Sequence, residues 1–502
     1  MKALSKYQIK NYLSLFVLNL LLISNIAFSQ QSIDEQKLQT FLGIAEELFL
    51  KAQLPGVGMA IVQNNEVVYK GGFGYGDLKK QKPITENSLF FLGSTTKAFT
   101  GFAAAILVEK KKLEWKKPII HYIPDFELSE SYVAKNVNLE DLFTHMTGLS
   151  RNDNLWLGKP LTREQVYQQA TALPFSHSFR ENWAYNNHAY VIIGKTLEKV
   201  SGSSWESLIE NEIFRPLEMN DSYTTYQGFV NDVNHVNGYQ KDGKTLRAHI
   251  NSDNIGPAGA ISSTPNDISK WLLMLVNEGD YKGKQIIHNK AYNYLVDPKG
   301  MSFTDTCSVQ YYSIGWGGKK TQGKRTLIHS GAIAGNNARV LFTPESGFGI
   351  FIMTNQISDY KDILTDYAES IFLNDNFKRD IERESQLISF NRFIQFQNLL
   401  LDHGIETAKI YYNKLKFKNF EKSMNFLGQS LLDAGYMEDA LFVFELNTID
   451  NPKSFKAFNS YANALSKNKD KERAIRMYKK SIELNSNKDN TAHESLSQLM
   501  AN

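Results

Sequence analysis

Cysteine is almost missing from this chain, since Cys307 is the only one among 502 residues. An intramolecular disulfide is therefore excluded, and a zinc site built on several thiolates is disfavoured. The chain also carries little excess charge, with a formal net charge of +3 and no basic stripe. Nucleic acid is consequently not an expected partner. Long hydrophobic runs are confined to the amino terminus, so the sequence predicts no membrane-spanning helix beyond it.

What remains is the composition of an ordinary globular protein. Apolar residues make up 42% of the chain and charged residues 22%, which argues against disorder. A length of 502 residues allows two or three domains, each with a sizeable core of its own.

The first thirty residues have the pattern of a secretory signal. Three lysines lie within the first ten residues, and an apolar stretch runs from Tyr12 to Phe28. Small residues follow at the positions that a signal peptidase reads. We therefore predict a signal peptide at 1–29 and an exported protein, periplasmic or secreted, that begins near Gln30. The alternative is an uncleaved membrane anchor, although the apolar run is short for a spanning helix, which needs about 20 residues.

The segment after the signal predicts an α+β opening. Apolar residues at helical spacing indicate a helix over 33–51. The sequence predicts a strand at Val57–Gln63, a tight turn at Asn64-Asn65 and an antiparallel partner strand at Glu66–Gly74. A helix, a hairpin and then another helix are not the alternating pattern of a parallel α/β sheet.

The second helix begins at a serine that is three residues before a lysine. Ser94 and Lys97 share a face of this helix, whose following residues form an apolar stripe. A serine hydroxyl becomes a nucleophile when a neighbouring base takes its proton, and burial lowers the pKa of a lysine toward that role. The alternative is that Ser94 is only a helix N-cap, which serine favours. The same spacing at Ser358/Lys361 and at Ser466/Lys469 carries no such context.

A second motif, Tyr-x-Asn, precedes an apolar helix. Tyr185 and Asn187 lie two residues apart in an irregular segment just before it. A tyrosine hydroxyl can carry protons if nearby positive charge lowers its pKa from about 10, and we expect Lys97 to supply that charge. The alternative is an ordinary structural pair, since Tyr-x-Asn also occurs at 411–413 and 461–463.

Between these motifs lies His145, in the stretch Leu142–Leu149. It could be a ligand or a base, but it falls at a helix–turn junction that Gly148 closes. We interpret it as a structural histidine outside the site.

The third motif, His-x-Gly, lies on a predicted strand. His329 and Gly331 fall within Thr326–Gly331, and two further strands, 337–342 and 347–355, complete an antiparallel meander with a turn predicted at Asn336-Asn337. A glycine in a strand often marks close approach of a ligand. The alternative for His329 is a hydrogen-bonded strand histidine without a role in the site.

The carboxyl-terminal part differs in character. A polar linker is predicted at 376–390, and 391–502 is helical without strand signals. Residues recur there at a spacing of 34, as in Asn425 and Asn459 or Ala440 and Ala474. This period resembles tetratricopeptide repeats, which usually bind a peptide or protein partner. A plain helical bundle is the alternative.

The three motifs together, in this order, resemble the serine β-lactamase-like superfamily. The nearest branch contains class C β-lactamases, D-alanyl-D-alanine carboxypeptidases and related esterases. The resemblance covers roughly residues 35–375, and we predict the domain itself at 30–375. It implies a five-stranded antiparallel sheet flanked by helices.

The resemblance also implies an acyl-enzyme mechanism. Ser94 would attack a carbonyl group and become acylated, and water would release the acyl group without a cofactor or metal. Lys97 and Tyr185 would share the proton transfers, and which of them is the base stays open. Backbone N–H groups of Ser94 and Ala332 would form the oxyanion hole. The remaining substrate-binding residues would be Asn187, which would bond the substrate or Lys97, and His329 and Gly331 on the strand.

One departure bears on the substrate. Class C β-lactamases usually have lysine where His329 stands, and an unperturbed histidine is mostly neutral above pH 6.5. Strong β-lactamase activity is therefore not expected. We expect an exported serine hydrolase acting on an amide or ester, as a D-amino-acid peptidase, an esterase or a weak β-lactamase. The alternative is an inactive penicillin-binding-like module that binds a cell-wall ligand and recruits a partner through its repeats.

Overall fold

The computed structural model describes residues 34–241, 244, 246–299, 310–321, 323–374, 377–415, 420–485 and 491–501. The predicted signal segment and Cys307 lie outside these ranges. The chain divides into two compact units between Glu384 and Ser385.

The first unit is organised on an antiparallel sheet. Its strand order is β3-β2-β1-β12-β11-β10-β9-β8, and β4 with β5 and β6 with β7 form two small separate pairs. The strands are β1 (Gly56–Gln63), β2 (Glu66–Asp77), β3 (Lys82–Pro83), β4 (Phe90–Phe91), β5 (Ser262–Ser263), β6 (Asp280–Tyr281), β7 (Lys284–Gln285), β8 (Tyr311–Tyr312), β9 (Gly317–Thr321), β10 (Lys324–Ile333), β11 (Asn336–Thr343) and β12 (Phe348–Thr354).

The antiparallel sheet is confirmed, but it has more strands than the five expected. The five long strands form its continuous centre in the order β2-β1-β12-β11-β10. The added strands β3 and β8 are two residues long, and β9 reads Gly-Gly-Lys-Lys-Thr. Such short or glycine- and lysine-rich segments carry no alternating apolar pattern, so the sequence offers no signal for them.

The two hairpins test the predicted turns. Asn64 and Asn65 both adopt positive φ, so the turn between β1 and β2 is confirmed. The turn predicted at Asn336-Asn337 is wrong, because Asn336 already pairs with Ile333 in the ladder. Ala334 and Gly335 make the turn instead, with φ of +49° and +83°. Gly335 adopts that left-handed conformation at no steric cost.

Helices pack against the sheet in the first unit and make up all of the regular structure described in the second. The helices are α1 (34–52), α2 (Thr96–Glu109), α3 (Ser131–Asn136), α4 (Leu139–Phe143), α5 (Arg163–Thr171), α6 (Asn187–Ser201), α7 (Trp205–Ile209), α8 (Tyr226–Asn231), α9 (Gly256–Gly259), α10 (Pro265–Val276), α11 (Asn289–Val296), α12 (Tyr360–Leu373), α13 (Ile381–Leu415), α14 (Glu421–Asp433), α15 (Met437–Asp450), α16 (Phe455–Lys467), α17 (Lys471–Leu484) and α18 (Ala492–Ala501).

The helix α2 is the centre of the first unit's core. Every residue from Thr96 to Leu107 is buried, so the helix is enclosed on all sides rather than along one stripe. Phe99 stacks on Trp271 of α10 with ring centroids 4.0 Å apart. This packing gives Lys97, in the first turn, a dry and rigid surrounding.

The second unit consists of paired helices that recur. The helices α16 and α17 begin at Phe455 and Lys471, each 34 residues after the start of α14 and α15. Within a pair the helices approach closely, because a Cβ on Gly428 would lie 2.7 Å from the ring of Phe444. The all-helical region is thus consistent with repeats, and its tetratricopeptide identity stays a prediction. The predicted linker is helical from Ile381 onward.

Over the stretches that the structure describes, none of these helices combines the length and the apolarity needed to cross a membrane.

Candidate active site

Ser94 lies in a 3₁₀ turn, Gly93–Thr95, directly before α2. The residues that precede the turn and the helix are Leu92 and Thr95, and neither makes a side-chain cap. Ser94 is therefore not the helix N-cap. Its side chain instead lies within interaction range of the Tyr185 hydroxyl.

The strand β10 runs directly against this turn. A Cβ on Gly331 would lie 2.0 Å from the carbonyl oxygen of Leu92 and 2.8 Å from the backbone nitrogen of Ser94. A Cβ on Gly93 would lie 2.6 Å from the backbone nitrogen of Ala332. Only glycines fit at this contact. They let β10 approach the Ser94 turn closely, so the backbone nitrogens of Ser94 and Ala332 both lie at this contact. The oxyanion hole itself stays a prediction.

Lys97 is buried in the first turn of α2, with none of its surface exposed. Its Nζ donates to Asn187 Oδ1 at 2.7 Å and to the carbonyl oxygen of Ala258 at 2.8 Å. Burial lowers the pKa of Lys97 well below its ordinary value, and the charge of Asp153 only partly opposes this. The predicted downward shift in the lysine pKa is confirmed.

Tyr185 and Asn187 are held by the start of α6. The Asn186 side chain caps this helix by accepting from the backbone N–H of Ala189 at 3.1 Å. Lys97 Nζ lies 4.8 Å from the centroid of the Tyr185 ring. The expectation that Lys97 lowers the tyrosine pKa is wrong, because burial raises the pKa of Tyr185 instead. Burial penalises the charged phenolate form of Tyr185. A lysine whose own pKa is lowered carries too little positive charge to offset that penalty.

Three residues at the site carry no signal in the sequence. Asp153 accepts from Asn187 Nδ2 at 2.9 Å and from Arg151 Nε at 2.6 Å. The Arg151 guanidinium lies 5.0 Å from the centroid of the Tyr185 ring. Tyr312 of β8 reaches His329. No spacing pattern connects these residues to the three motifs, so nothing in the sequence could have singled them out.

His329 makes two hydrogen bonds on β10, and burial keeps its imidazole neutral. Its Nδ1 donates to the carbonyl oxygen of Ser330 at 2.8 Å, since a carbonyl oxygen can only accept. Its Nε2 therefore carries the lone pair and accepts from the Tyr312 hydroxyl at 2.8 Å. Burial, with help from the charge of Lys97, lowers the pKa of His329 to about 3. The strand histidine is thus hydrogen-bonded and uncharged at neutral pH.

His145 is fully buried and packs against the ring of Tyr185. Its Nδ1 accepts from the backbone N–H of Asn186 at 3.1 Å, and its ring centroid lies 4.5 Å from that of Tyr185. Its contacts support the structural interpretation, although the ring also forms a wall behind Tyr185. The part of the chain that the structure describes contains no group of His, Cys, Asp or Glu side chains arranged to hold a metal ion.

Solved structures with the same fold place the chain in a broad class. The octameric penicillin-binding protein homologue from Pyrococcus abyssi matches with a TM-score of 0.59 and 23% identity, over 72% of this chain and 82% of that one. FmtA from Staphylococcus aureus matches with a TM-score of 0.54 and 20% identity, over 68% and 90%. The fold is that of the β-lactamase and penicillin-binding-protein class.

The family follows from the sequence match. The profile described as Beta-lactamase matches residues 35–369, which is more than half of the chain, and the chain belongs to this family. Unguisins hydrolase ungD of Aspergillus violaceofuscus is 26% identical over 335 residues, 60% of this chain and 58% of that protein. Protein flp of Staphylococcus aureus is 22% identical over 355 residues, 69% and 67%. The chain thus spans less than two thirds of the fungal hydrolase.

Proposed function

We propose that this chain is a serine hydrolase that cleaves an amide or ester bond through an acyl-enzyme on Ser94. The observation that carries the proposal is the buried, hydrogen-bonded amine of Lys97 three residues after Ser94, whose side chain lies within interaction range of the Tyr185 hydroxyl. Beside it, β10 and the Ser94 turn meet in a close glycine contact. Family membership and a relative named as a hydrolase support it.

The hydrogen bonds of Lys97 favour it as the base. A neutral amine has two N–H groups and one lone pair, and two carbonyl-type oxygens already accept from Nζ. The lone pair is then left to take a proton. Burial stabilises this neutral form and keeps Tyr185 a phenol, so Tyr185 acts as a neutral carrier between Ser94 and Lys97.

The steps then follow in order. Ser94 Oγ bonds to the substrate carbonyl carbon while its proton passes through Tyr185 to Lys97. The resulting oxyanion is held by the backbone N–H groups of Ser94 and Ala332. The carbonyl re-forms, the bond to the leaving group breaks, and the same proton returns to the leaving nitrogen or oxygen. Water repeats the sequence on the acyl-enzyme and frees Ser94.

The charges around the site favour a substrate without a carboxylate next to the scissile bond. His329 is neutral, and Lys97 is buried with two acceptors. Arg151 is exposed, but its Nε is paired with Asp153, which compensates its charge. Neutral esters and amides therefore suit the site better than penicillins or peptides with a free terminal carboxylate.

Burst kinetics test the acyl-enzyme proposal. We expect p-nitrophenyl acetate to release about one equivalent of p-nitrophenol per chain before the slower steady state, because acylation precedes rate-limiting hydrolysis. The measurement is stopped-flow absorbance on the full chain after removal of residues 1–29. A rate equal to that in buffer, with no burst, would contradict the proposal and favour the non-catalytic binding module.

Export and partner binding are further proposals. The basic and apolar amino terminus supports secretion, and the recurring helix pairs support a peptide or protein partner for residues 391–502. Amino-terminal sequencing of the secreted chain should begin near Gln30, and a cytoplasmic chain that retains Met1 would contradict export. Loss of a co-purifying partner when 391–502 is removed checks the second proposal, and unchanged co-purification would contradict it.

A further inference from the structure

Three side chains converge on the carboxylate of Asp153. Arg151 Nε donates to Oδ2 at 2.6 Å, and Trp156 Nε1 donates to Oδ1 at 3.1 Å. Asn187 Nδ2 donates to Oδ1 at 2.9 Å, across 34 residues of sequence. Asp153 begins a short 3₁₀ turn, Asp153–Leu155, and most of its side chain is shielded from solvent. The Asp153 carboxylate is thus a shielded acceptor of three side-chain hydrogen bonds at the edge of the candidate active site.

The carboxylate determines which way the Asn187 amide faces. In the observed orientation Oδ1 accepts from Lys97 Nζ, and Nδ2 donates to Asp153. The reversed amide would place its NH₂ against the lysine N–H groups and its oxygen against the carboxylate. The contact with the carboxylate would be repulsive and a lysine N–H group would lose its acceptor, so only one orientation satisfies the two neighbours.

The amide orientation in turn aims the lysine nitrogen. With Asn187 Oδ1 and the Ala258 carbonyl oxygen both accepting from Nζ, the remaining tetrahedral position of that nitrogen is fixed in direction. Losing either acceptor would let the amine rotate within its pocket. General-base catalysis is sensitive to such misplacement, because proton transfer needs hydrogen-bond reach.

We propose that Asp153 is a positioning residue that locks the Asn187 amide and thereby holds the Lys97 amine in its catalytic orientation. The inference rests on the proposed function of this site and assigns a task to a residue outside its three motifs. Asp153 also contributes charge: it is the carboxylate whose field opposes the effect of burial on the pKa of Lys97. The other titratable or charged groups facing Lys97 are Tyr185, Tyr190, His145, His329 and Arg151.

Two substitutions separate orientation from charge. Asp153→Asn keeps an oxygen that can accept from Asn187 but removes the charge. We expect its kcat at alkaline pH to stay within about threefold of the original, and its acid limb of kcat/KM to move to lower pH. Asp153→Leu removes the acceptor as well. We expect kcat to fall about 10- to 100-fold with KM changed less than about threefold, because substrate binding is left intact.

The assay is hydrolysis of p-nitrophenyl acetate across pH 4–10 by the full mature chain. Glu164→Gln is the matched control, since Glu164 is an exposed carboxylate paired with Lys195 on the surface. It should leave both kcat and the acid limb unchanged. Thermal unfolding of each variant checks that the fold is kept, and Asp153→Asn retains the shape and the acceptor, so it provides the test if Asp153→Leu does not fold.

A second readout does not depend on catalysis. In the chain labelled with ¹³C at lysine Cε, the resonance missing from Lys97→Arg identifies Lys97, and its titration should move to lower pH in Asp153→Asn. If the wild-type chain is active but the Asp153 variants show neither the kinetic changes nor the shift in the Lys97 titration, the inference is overturned and the proposed function stands. Absence of any wild-type burst together with the Asp153→Asn titration shift would overturn the proposed function while supporting the contact between Asp153 and Lys97.

Discussion

Replacing Lys97 by alanine is expected to lower kcat/KM for ester hydrolysis by about a thousandfold or more. The substitution removes the only amine within the buried network of Asn187 and Ala258, and with it the final acceptor of the Ser94 proton. Lys97→Arg should be equally inactive, because a guanidinium keeps the charge but does not release its proton near neutral pH. A role limited to positive charge would instead leave Lys97→Arg active.

The pH dependence of kcat/KM tests the same role of Lys97, because the account fixes the direction of the change. Activity requires neutral Lys97, so kcat/KM should rise with pH through the lysine pKa and fall as acid protonates the amine. Because burial lowers that pKa well below its ordinary value, activity should already be high near neutral pH. An acid limb placed near pH 10.5, as for an exposed lysine, would contradict the account.

Another buried lysine provides the matched control. Lys361 also follows a serine by three residues, is 6% exposed and pairs with Asp362 on α12. Lys361→Met removes a buried amine of the same kind, which is paired with Asp362 on α12 rather than with the three motifs. We expect less than about a threefold change in kcat/KM for this variant, measured beside Lys97→Ala at matched folded fractions. An equal loss in both variants would show that the effect is one of stability.

Substituting His329 by lysine is expected to shift the substrate preference from the peptide amide toward the matching free acid. The wild-type chain should hydrolyse an acyl-D-alanyl-D-alanine amide faster than the matching free acid, because the neutral imidazole offers no charge to the terminal carboxylate. His329→Lys places an amine there, which a bound substrate carboxylate would stabilise as an ammonium group. A charge-assisted hydrogen bond contributes about 1.5–3 kcal/mol, so the acid-to-amide ratio of kcat/KM should rise about 10- to 150-fold.

The control for this switch is a neutral residue at the same position. His329→Gln retains hydrogen-bonding capacity without charge, so its acid-to-amide ratio should stay at the wild-type value. The measurement is steady-state hydrolysis of the two matched peptides by all three proteins. A wild-type chain that prefers the free acid, or a ratio that rises equally in His329→Gln, would contradict the neutral-site interpretation.

The parts of the fold that were predictable depend on local patterns. The β1–β2 hairpin follows from two strand-forming segments and the Asn64-Asn65 turn between them, and the strands and the turn are confirmed. The second hairpin shows the limit of such signals. An Asn-Asn pair is a common turn, yet the adjacent Gly335 accepts the left-handed conformation more readily and moves the turn by two residues. Short strands such as β8 depend on their neighbours rather than on their own sequence.

The candidate site likewise has features that could be predicted from the sequence and features that could not. The spacing of Ser94 and Lys97 and the burial of α2 could both be read from the sequence, so the lowered lysine pKa was predictable. The rise in the tyrosine pKa was not, because it depends on how completely distant segments close over Tyr185. Asp153 and Tyr312 reach the site across long sequence separations. Such tertiary contacts leave no periodic pattern in a single sequence.

Covalent labelling of Ser94 is the most direct measurement of the central claim. The purified mature chain is treated with a fluorophosphonate and, separately, with a fluorescent penicillin, and the adduct is located by peptide mass spectrometry. The account predicts one fluorophosphonate per chain on Ser94, weaker or absent penicillin labelling, and no labelling of Ser94→Ala. Label on a different residue, or equal labelling of Ser94→Ala, would contradict it.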